Sequence, residues 1–245
     1  MAHFVLVHGA CHGAWCWFKL KPELEALGHR VVAIDLPGLG EDRTPIAEVT
    51  FDGTIDHVVG VVSREAEPVV LLGHSLGGVS ISATAERIPD RIRLLVYLAA
   101  FLPRDGDSVN GVYETPDWPQ ETAAATTPVR SADGLSFWHT PETARARFYH
   151  DCSDEDVVYC IARLKPQPTI TRQTPVRITP EHFGRVPRAY IHCLDDRASP
   201  IARQRMMVAN SPCQAVRSLP TSHSPFVSAP KLLAETLAEL AKANS

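Results

Sequence analysis

Val69-Val70-Leu71-Leu72-Gly73-His74-Ser75-Leu76-Gly77-Gly78 is the stretch on which the fold turns. Four consecutive aliphatic residues before Gly73 read as a strand buried on both faces, as in a parallel sheet. Helical spacing takes over from Leu76 to Ile88, and Pro89 stops it. Between the two lies a G-x-S-x-G elbow, Gly73 to Gly77. That pattern predicts Ser75 on a sharp turn with a positive backbone φ, where glycines at 73 and 77 remove Cβ atoms that would clash. The Ser75 hydroxyl is then raised above the sheet edge. The helix N-terminus behind it favours developing negative charge.

Working outward, Phe4 to Val7 reads as a strand ending in His8-Gly9-Ala10-Cys11-His12-Gly13-Ala14. A glycine-bearing loop in that place can aim bare backbone N–H groups at a substrate oxygen, although the sequence does not say which of them points inward. Trp15 to Leu27 has the helical period, with Gly28 as its C-cap. Val31 to Ile34 is the next strand, and it delivers Asp35-Leu36-Pro37-Gly38-Leu39-Gly40, where Asp35 reads as a cap for backbone N–H groups rather than a catalytic acid. A helix over Thr50 to Ala66 precedes the elbow strand, and Ile92 to Ala100 is a further strand. Arg188 to Cys193 and Ala215 to Leu219 are strands again, separated by a helix from Ile201 to Ala209 and followed by one from Pro230 to Lys242. The alternation specifies an α/β fold, a mostly parallel sheet of about six strands with helices on both faces, built from residues 1–100 and 187–245.

Residues 101–186 differ in character. Prolines and polar residues thicken, and short amphipathic pieces appear around Pro141 to His150 and Ser153 to Leu164. A structureless loop of that length is implausible in a compact domain, so the segment is expected to be an inserted, largely helical cap. It is dense in aromatic residues. Phe101, Trp118, Phe137 and Trp138 are expected to line a pocket between cap and sheet, because ligand sites are mostly apolar.

The chain has 245 residues, 44% of them hydrophobic, so core material is not limiting. A net charge of −4 without a Lys/Arg cluster gives no electrostatic support for a nucleic-acid partner or a polybasic membrane role. Met1-Ala2-His3 runs straight into the first strand, leaving no room for a signal peptide, and no run of about 18 apolar residues could span a bilayer. A cytoplasmic protein is the expectation, as a monomer or a homodimer. The six cysteines are expected to be free thiols in that setting. Cys11-His12 with Cys16 lacks a second ligand pair at structural-zinc spacing, so no metal is expected.

A serine hydroxyl is a weak nucleophile at neutral pH and needs a base within reach and a third group to orient that base. In open α/β sheets such groups sit on loops at the carboxyl ends of strands. His223 is the histidine on a loop after the last strand, while His74 is tied to the elbow backbone and His139 and His150 fall in the cap. Asp195 and Asp196 lie on the loop after the preceding strand. Spacing alone does not choose between them, and an acid after the fourth strand, Asp105 or Asp107, is a third arrangement.

The chain order Ser, Asp, His is the one expected of α/β-hydrolases. Within them the sequence resembles the plant methylesterase and hydroxynitrile lyase branch, together with related bacterial esterases. The resemblance is carried by Phe4 to Trp15, Gly73 to Gly78, Leu98-Ala99-Ala100-Phe101-Leu102-Pro103, Cys152-Ser153-Asp154-Glu155-Asp156 and Phe183-Gly184-Arg185-Val186. It implies Ser75 as nucleophile, Asp196 as acid, His223 as base, and an oxyanion hole from the backbone N–H groups of Ala10 and Leu76. Lyases of this branch carry a lysine directly after the histidine and a threonine in the first oxyanion loop. Here those positions are Ser224 and Ala10. Without a cation to stabilise departing cyanide, ester hydrolysis is favoured over cyanohydrin cleavage. The expectation is therefore a cofactor-free carboxylic-ester hydrolase acting on small, apolar or aromatic esters. A C–C lyase and a non-catalytic small-molecule receptor on the same scaffold are the alternatives.

Overall fold

The computed structural model describes residues 1–115, 119 and 128–244. The chain opens with β1 (His3–Val7), α1 (Leu20–Ala26), β2 (Arg30–Ile34), α2 (Phe51–Arg64), β3 (Val69–His74), α3 (Gly77–Arg87) and β4 (Ile92–Leu98). It continues through α4 (Val109–Tyr113), β5 (Val129–Arg130), β6 (Ser136–Trp138), α5 (Pro141–Phe148), α6 (Asp154–Ile161), β7 (Gln167–Pro168) and α7 (Ile170–Gln173). It closes with β8 (Arg188–Cys193), α8 (Ile201–Asn210), β9 (Ala215–Leu219), α9 (Pro225–Ser228) and α10 (Pro230–Ala243).

Six strands form one sheet in the order β2-β1-β3-β4-β8-β9, and every neighbouring pair is parallel. The elbow strand β3 is central, and all six of its residues are buried. Alternate side chains serve opposite layers. Val70 and Leu72 pack with Trp17, Leu20, Leu24 and Leu237 on one face, while Val69 and Leu71 pack with Ile55, Val58, Val62 and Val79 on the other. Because the strands are parallel, the loops after β1, β3, β4, β8 and β9 all leave from one edge. The site is assembled there.

Two local differences from the sequence expectations have physical causes. The helix expected from Trp15 to Leu27 is split into a 3-10 turn at Ala14–Trp17 and α1. Pro22 has no N–H to give the carbonyl four residues earlier, so the two pieces cannot fuse. Residues 101–186 carry the expected short helices, but also a three-stranded antiparallel sheet, β5-β6-β7. Its strands are two or three residues long, too short for alternation to register in a sequence. Helices α2, α5 and α6 start where capping residues place them: Thr50 accepts from the Gly53 N–H at 3.0 Å, and Thr140 and Ser153 cap α5 and α6.

Asp35 joins two loops, accepting the Ala14 N–H at 2.6 Å and the Glu41 N–H at 3.1 Å. The six cysteines are unpaired thiols. Among the described residues no helix is long and apolar enough to cross a membrane.

Candidate active site

Ser75 adopts a φ of 52°, in the left-handed region. Backbone bonds hold it there. Its N–H donates to the Leu98 carbonyl at 3.2 Å, and its own carbonyl accepts from Gly78 at 3.2 Å and Phe101 at 2.9 Å. The glycines are required by close approach: a Cβ on Gly77 would lie 2.7 Å from the His8 carbonyl oxygen, and one on Gly73 would lie 2.8 Å from that of Gly77. The elbow can thus form only with bare backbone at both positions.

His223, on the loop after β9, is 2% exposed, and its Nδ1 lies 2.7 Å from Asp196 Oδ2. The remaining acceptor sites of Asp196 are also filled. Oδ1 takes the N–H groups of Ala198 at 2.7 Å and Ser199 at 2.8 Å, and Gln204 Nε2 donates to Oδ2 at 3.3 Å. Gln204 is itself fully buried and staples the loop, donating to the Ser199 and Cys193 carbonyls and accepting the Cys193 N–H. An imidazole facing a carboxylate at Nδ1 carries its proton there, which leaves Nε2 able to accept one. Asp195 is exposed, and the carboxylate against His223 Nδ1 is that of Asp196. Asp105 accepts the Ile178 N–H, and Asp107 caps Arg104, so neither lies against His223.

The loop that carries His223 is pinned from two directions. His74 Nε2, at the end of the elbow strand, donates to the His223 carbonyl at 2.9 Å. Asp151, from the 101–186 segment, accepts the Ser222 N–H at 2.7 Å and the Ser222 hydroxyl. Ser75 and His223 both line one cavity of about 310 Å³. Among the described residues no hydrogen bond joins the two side chains; such contacts often tighten only when substrate is bound.

Two neutral histidines shape the loop after β1. His8 Nε2 accepts the Leu36 N–H at 3.1 Å, so its Nδ1 carries the proton and donates to the Gly9 carbonyl at 2.8 Å. His12 accepts the Tyr149 hydroxyl at Nε2, at 2.5 Å, and donates from Nδ1 to the Ala10 carbonyl at 2.7 Å. The Gly9 carbonyl is pinned by His8 Nδ1, and the N–H of the next residue, across the trans peptide, points the opposite way. Among the described residues neither the Ala10 nor the Leu76 N–H has an acceptor, and both residues line the cavity beside Ser75. His8, His12, Tyr149 and Gln204 were not singled out for these roles by sequence. The available signal was the pair of histidines in a glycine loop, an expensive choice unless each ring is fully hydrogen-bonded.

Phe101 and Phe137 line the cavity, joined by Tyr113, Phe148 and Met207. Trp138 does not. Neighbours along a strand face opposite sides, so Trp138 turns to a separate pocket with Cys11, Ile161 and Leu164. Trp118 lies outside the described residues. Ser224 is buried and leaves no charge next to His223, but Arg130, Arg147 and Arg172 line the cavity farther along. The sequence comparison concerned position 224 alone; arginines distant in sequence are brought to the same cavity by the 101–186 segment.

Burial pulls the His8 imidazole down to about 4 and that of His12 to about 3, and holds His74 well below the usual histidine range. In the unfolded chain each titrates near 6.5, so below that pH the unfolded state binds more protons than the folded one. Their contribution is fully present above about pH 6.5 and is lost as pH falls towards the folded values, at about 1.4 kcal/mol per pH unit for each ring. Urea unfolding at constant ionic strength should show stability dropping from pH 7 to 5, above the carboxylate range. A flat profile across that interval would contradict neutral burial of these rings.

The model of the Alpha/beta hydrolase family matches residues 4–236. Methylesterase 1 of Arabidopsis thaliana is 35% identical over 253 residues, covering 98% of this chain and 95% of that protein. Salicylic acid-binding protein 2 of Nicotiana tabacum is also 35% identical, covering 98% of this chain and 96% of that protein. The crystal structure of a pyrethroid hydrolase from Sphingobium faniae superposes with a TM-score of 0.87 at 32% identity, over 99% of this chain and 98% of that one.

Proposed function

Because this chain belongs to the alpha/beta hydrolase family and, within it, to the plant methylesterase branch, we propose that it hydrolyses small apolar or aromatic carboxylic esters through an acyl-enzyme on Ser75. It is a serine hydrolase of the esterase kind. The observation that most supports the detailed reading is the 2.7 Å contact of buried His223 with Asp196, beside a serine held at a φ of 52° on the same cavity.

Ser75 Oγ attacks the ester carbonyl while His223 Nε2 takes its proton, and Asp196 holds the ring through Nδ1. The N–H groups of Ala10 and Leu76 receive the oxyanion, already aimed and costing no reorganisation as charge develops. His223 then protonates the departing alcohol. Water repeats the sequence and releases the acid. Residues 101–186 act as a cap whose Phe101, Phe137 and Phe148 rings exclude water and seat the apolar part of the ester. We place the enzyme in the cytoplasm, working without a cofactor.

A panel of 4-nitrophenyl and methyl esters of graded acyl length tests this directly, with release of cyanide from mandelonitrile measured alongside. Turnover of the esters and none of mandelonitrile is the expected result. Cyanide release as fast as ester hydrolysis would make it a lyase, and stoichiometric binding without turnover would make it a receptor.

A further inference from the structure

We propose that the cavity selects esters that also carry a carboxylate, which Arg172 receives from the 101–186 segment; the inference rests on the ester-hydrolase reading of the same cavity. Arg172 lies on α7, partly buried, and its Nε donates to Asn110 Oδ1 at 3.2 Å. Its guanidinium carbon is 5.3 Å from the centre of the Tyr113 ring and 5.2 Å from that of Phe137. Set over two aromatic rings and tied at Nε, the planar group is restrained in orientation, while both Nη groups have no acceptor among the described residues.

None of the described residues that line the cavity is acidic, and Arg172 forms no ion pair with any described carboxylate. Two more guanidinium groups stand near it on the same lining. Arg130 is exposed at the rim on β5, and Arg147 donates to the Ala198 carbonyl at 3.3 Å. Their charges and burial together push the Arg172 guanidinium below its usual value, burial being the larger cause. Arginine keeps its proton even so. A partly buried cation on a cavity lining that holds two like charges and no described carboxylate is a costly arrangement unless something anionic completes it. A guanidinium edge matches a carboxylate with two parallel hydrogen bonds, and the aromatic rings beside it suit an apolar body between carboxylate and ester.

The test uses matched ester pairs that differ only in that charge. 4-Nitrophenyl valerate against mono-4-nitrophenyl glutarate places it on the acyl side, and phenyl acetate against 3-acetoxybenzoate places it on the alcohol side. Wild-type protein should prefer the anionic member of at least one pair in kcat/KM by about 10- to 100-fold. Arg172→Gln should collapse that ratio, Arg172→Lys should restore part of it, and raising salt from about 0.02 to about 0.5 M should erode it. If Arg172→Gln fails to fold, Arg130→Glu at the exposed rim should lower the same ratio at least about fivefold. No preference in either pair, or equal losses on both members, would make Arg172 a structural staple of the cap and overturn the proposal. If wild-type protein hydrolyses no ester, the hydrolase reading fails separately. Calorimetry of glutarate then decides the inference: binding lost in Arg172→Gln sustains it, and binding unchanged overturns it.

Discussion

Ser75→Ala lowers kcat/KM for a 4-nitrophenyl ester by about a thousandfold or more. The magnitude follows from what is lost and what stays. The substitution removes the oxygen proposed to attack, but leaves the two free N–H groups of Ala10 and Leu76, the cavity and the His223–Asp196 pair. Residual turnover then comes from water attacking an ester that is bound and polarised. Alanine at this turn has the same backbone cost as serine, since the strain of a φ of 52° belongs to the Cβ and not to the hydroxyl. The variant should therefore unfold at nearly the wild-type urea concentration. Combining it with His223→Ala should add little further loss, because the two groups act as one unit. A folded Ser75→Ala protein that hydrolyses the ester at the wild-type rate would dispose of the serine mechanism.

The paired substitutions Asp196→Asn and Asp195→Asn should separate by about three orders of magnitude in kcat near pH 7. The Ala198 and Ser199 N–H groups require an acceptor at Oδ1. Asparagine keeps its carbonyl oxygen there and so turns its NH2 towards His223 Nδ1. A donor in that place forces the imidazole proton onto Nε2, and the ring can no longer accept the Ser75 proton. Asp195 is exposed, and its side chain has no part in that network, so its amide variant should stay within about threefold of wild type. Equal effects from the two variants would remove Asp196 from the reaction.

Much of the fold was legible in the linear chain because parallel α/β architecture is written in local signals. Four buried aliphatics before Gly73, a helical period after Leu76 and glycines at 73 and 77 specify strand, turn and helix without reference to any distant residue. The same holds for the loop positions of Ser75 and His223, since each directly follows a recognisable strand. The failures were also local. Pro22 interrupts a helix whose apolar spacing is otherwise continuous, and β5, β6 and β7 are too short to show a period.

The sequence by itself determined the sheet, the elbow and the strand-end loops that carry the proposed site, because hydrophobic period and glycine chemistry act over neighbouring residues. Only the tertiary structure decided which of two adjacent aspartates faces His223, since that depends on the two N–H donors and Gln204 meeting around one carboxylate. It alone brought Tyr149 onto His12 from 137 residues away, thereby pinning the Ala10 carbonyl, and turned Phe137 into the cavity while turning Trp138 out. It also set Arg172 against Tyr113 and Phe137, where a cation that looks ordinary in sequence joins the lining of the cavity beside Ser75. Those outcomes depend on the directions of side chains across long chain separations, and a one-dimensional pattern carries no such directions.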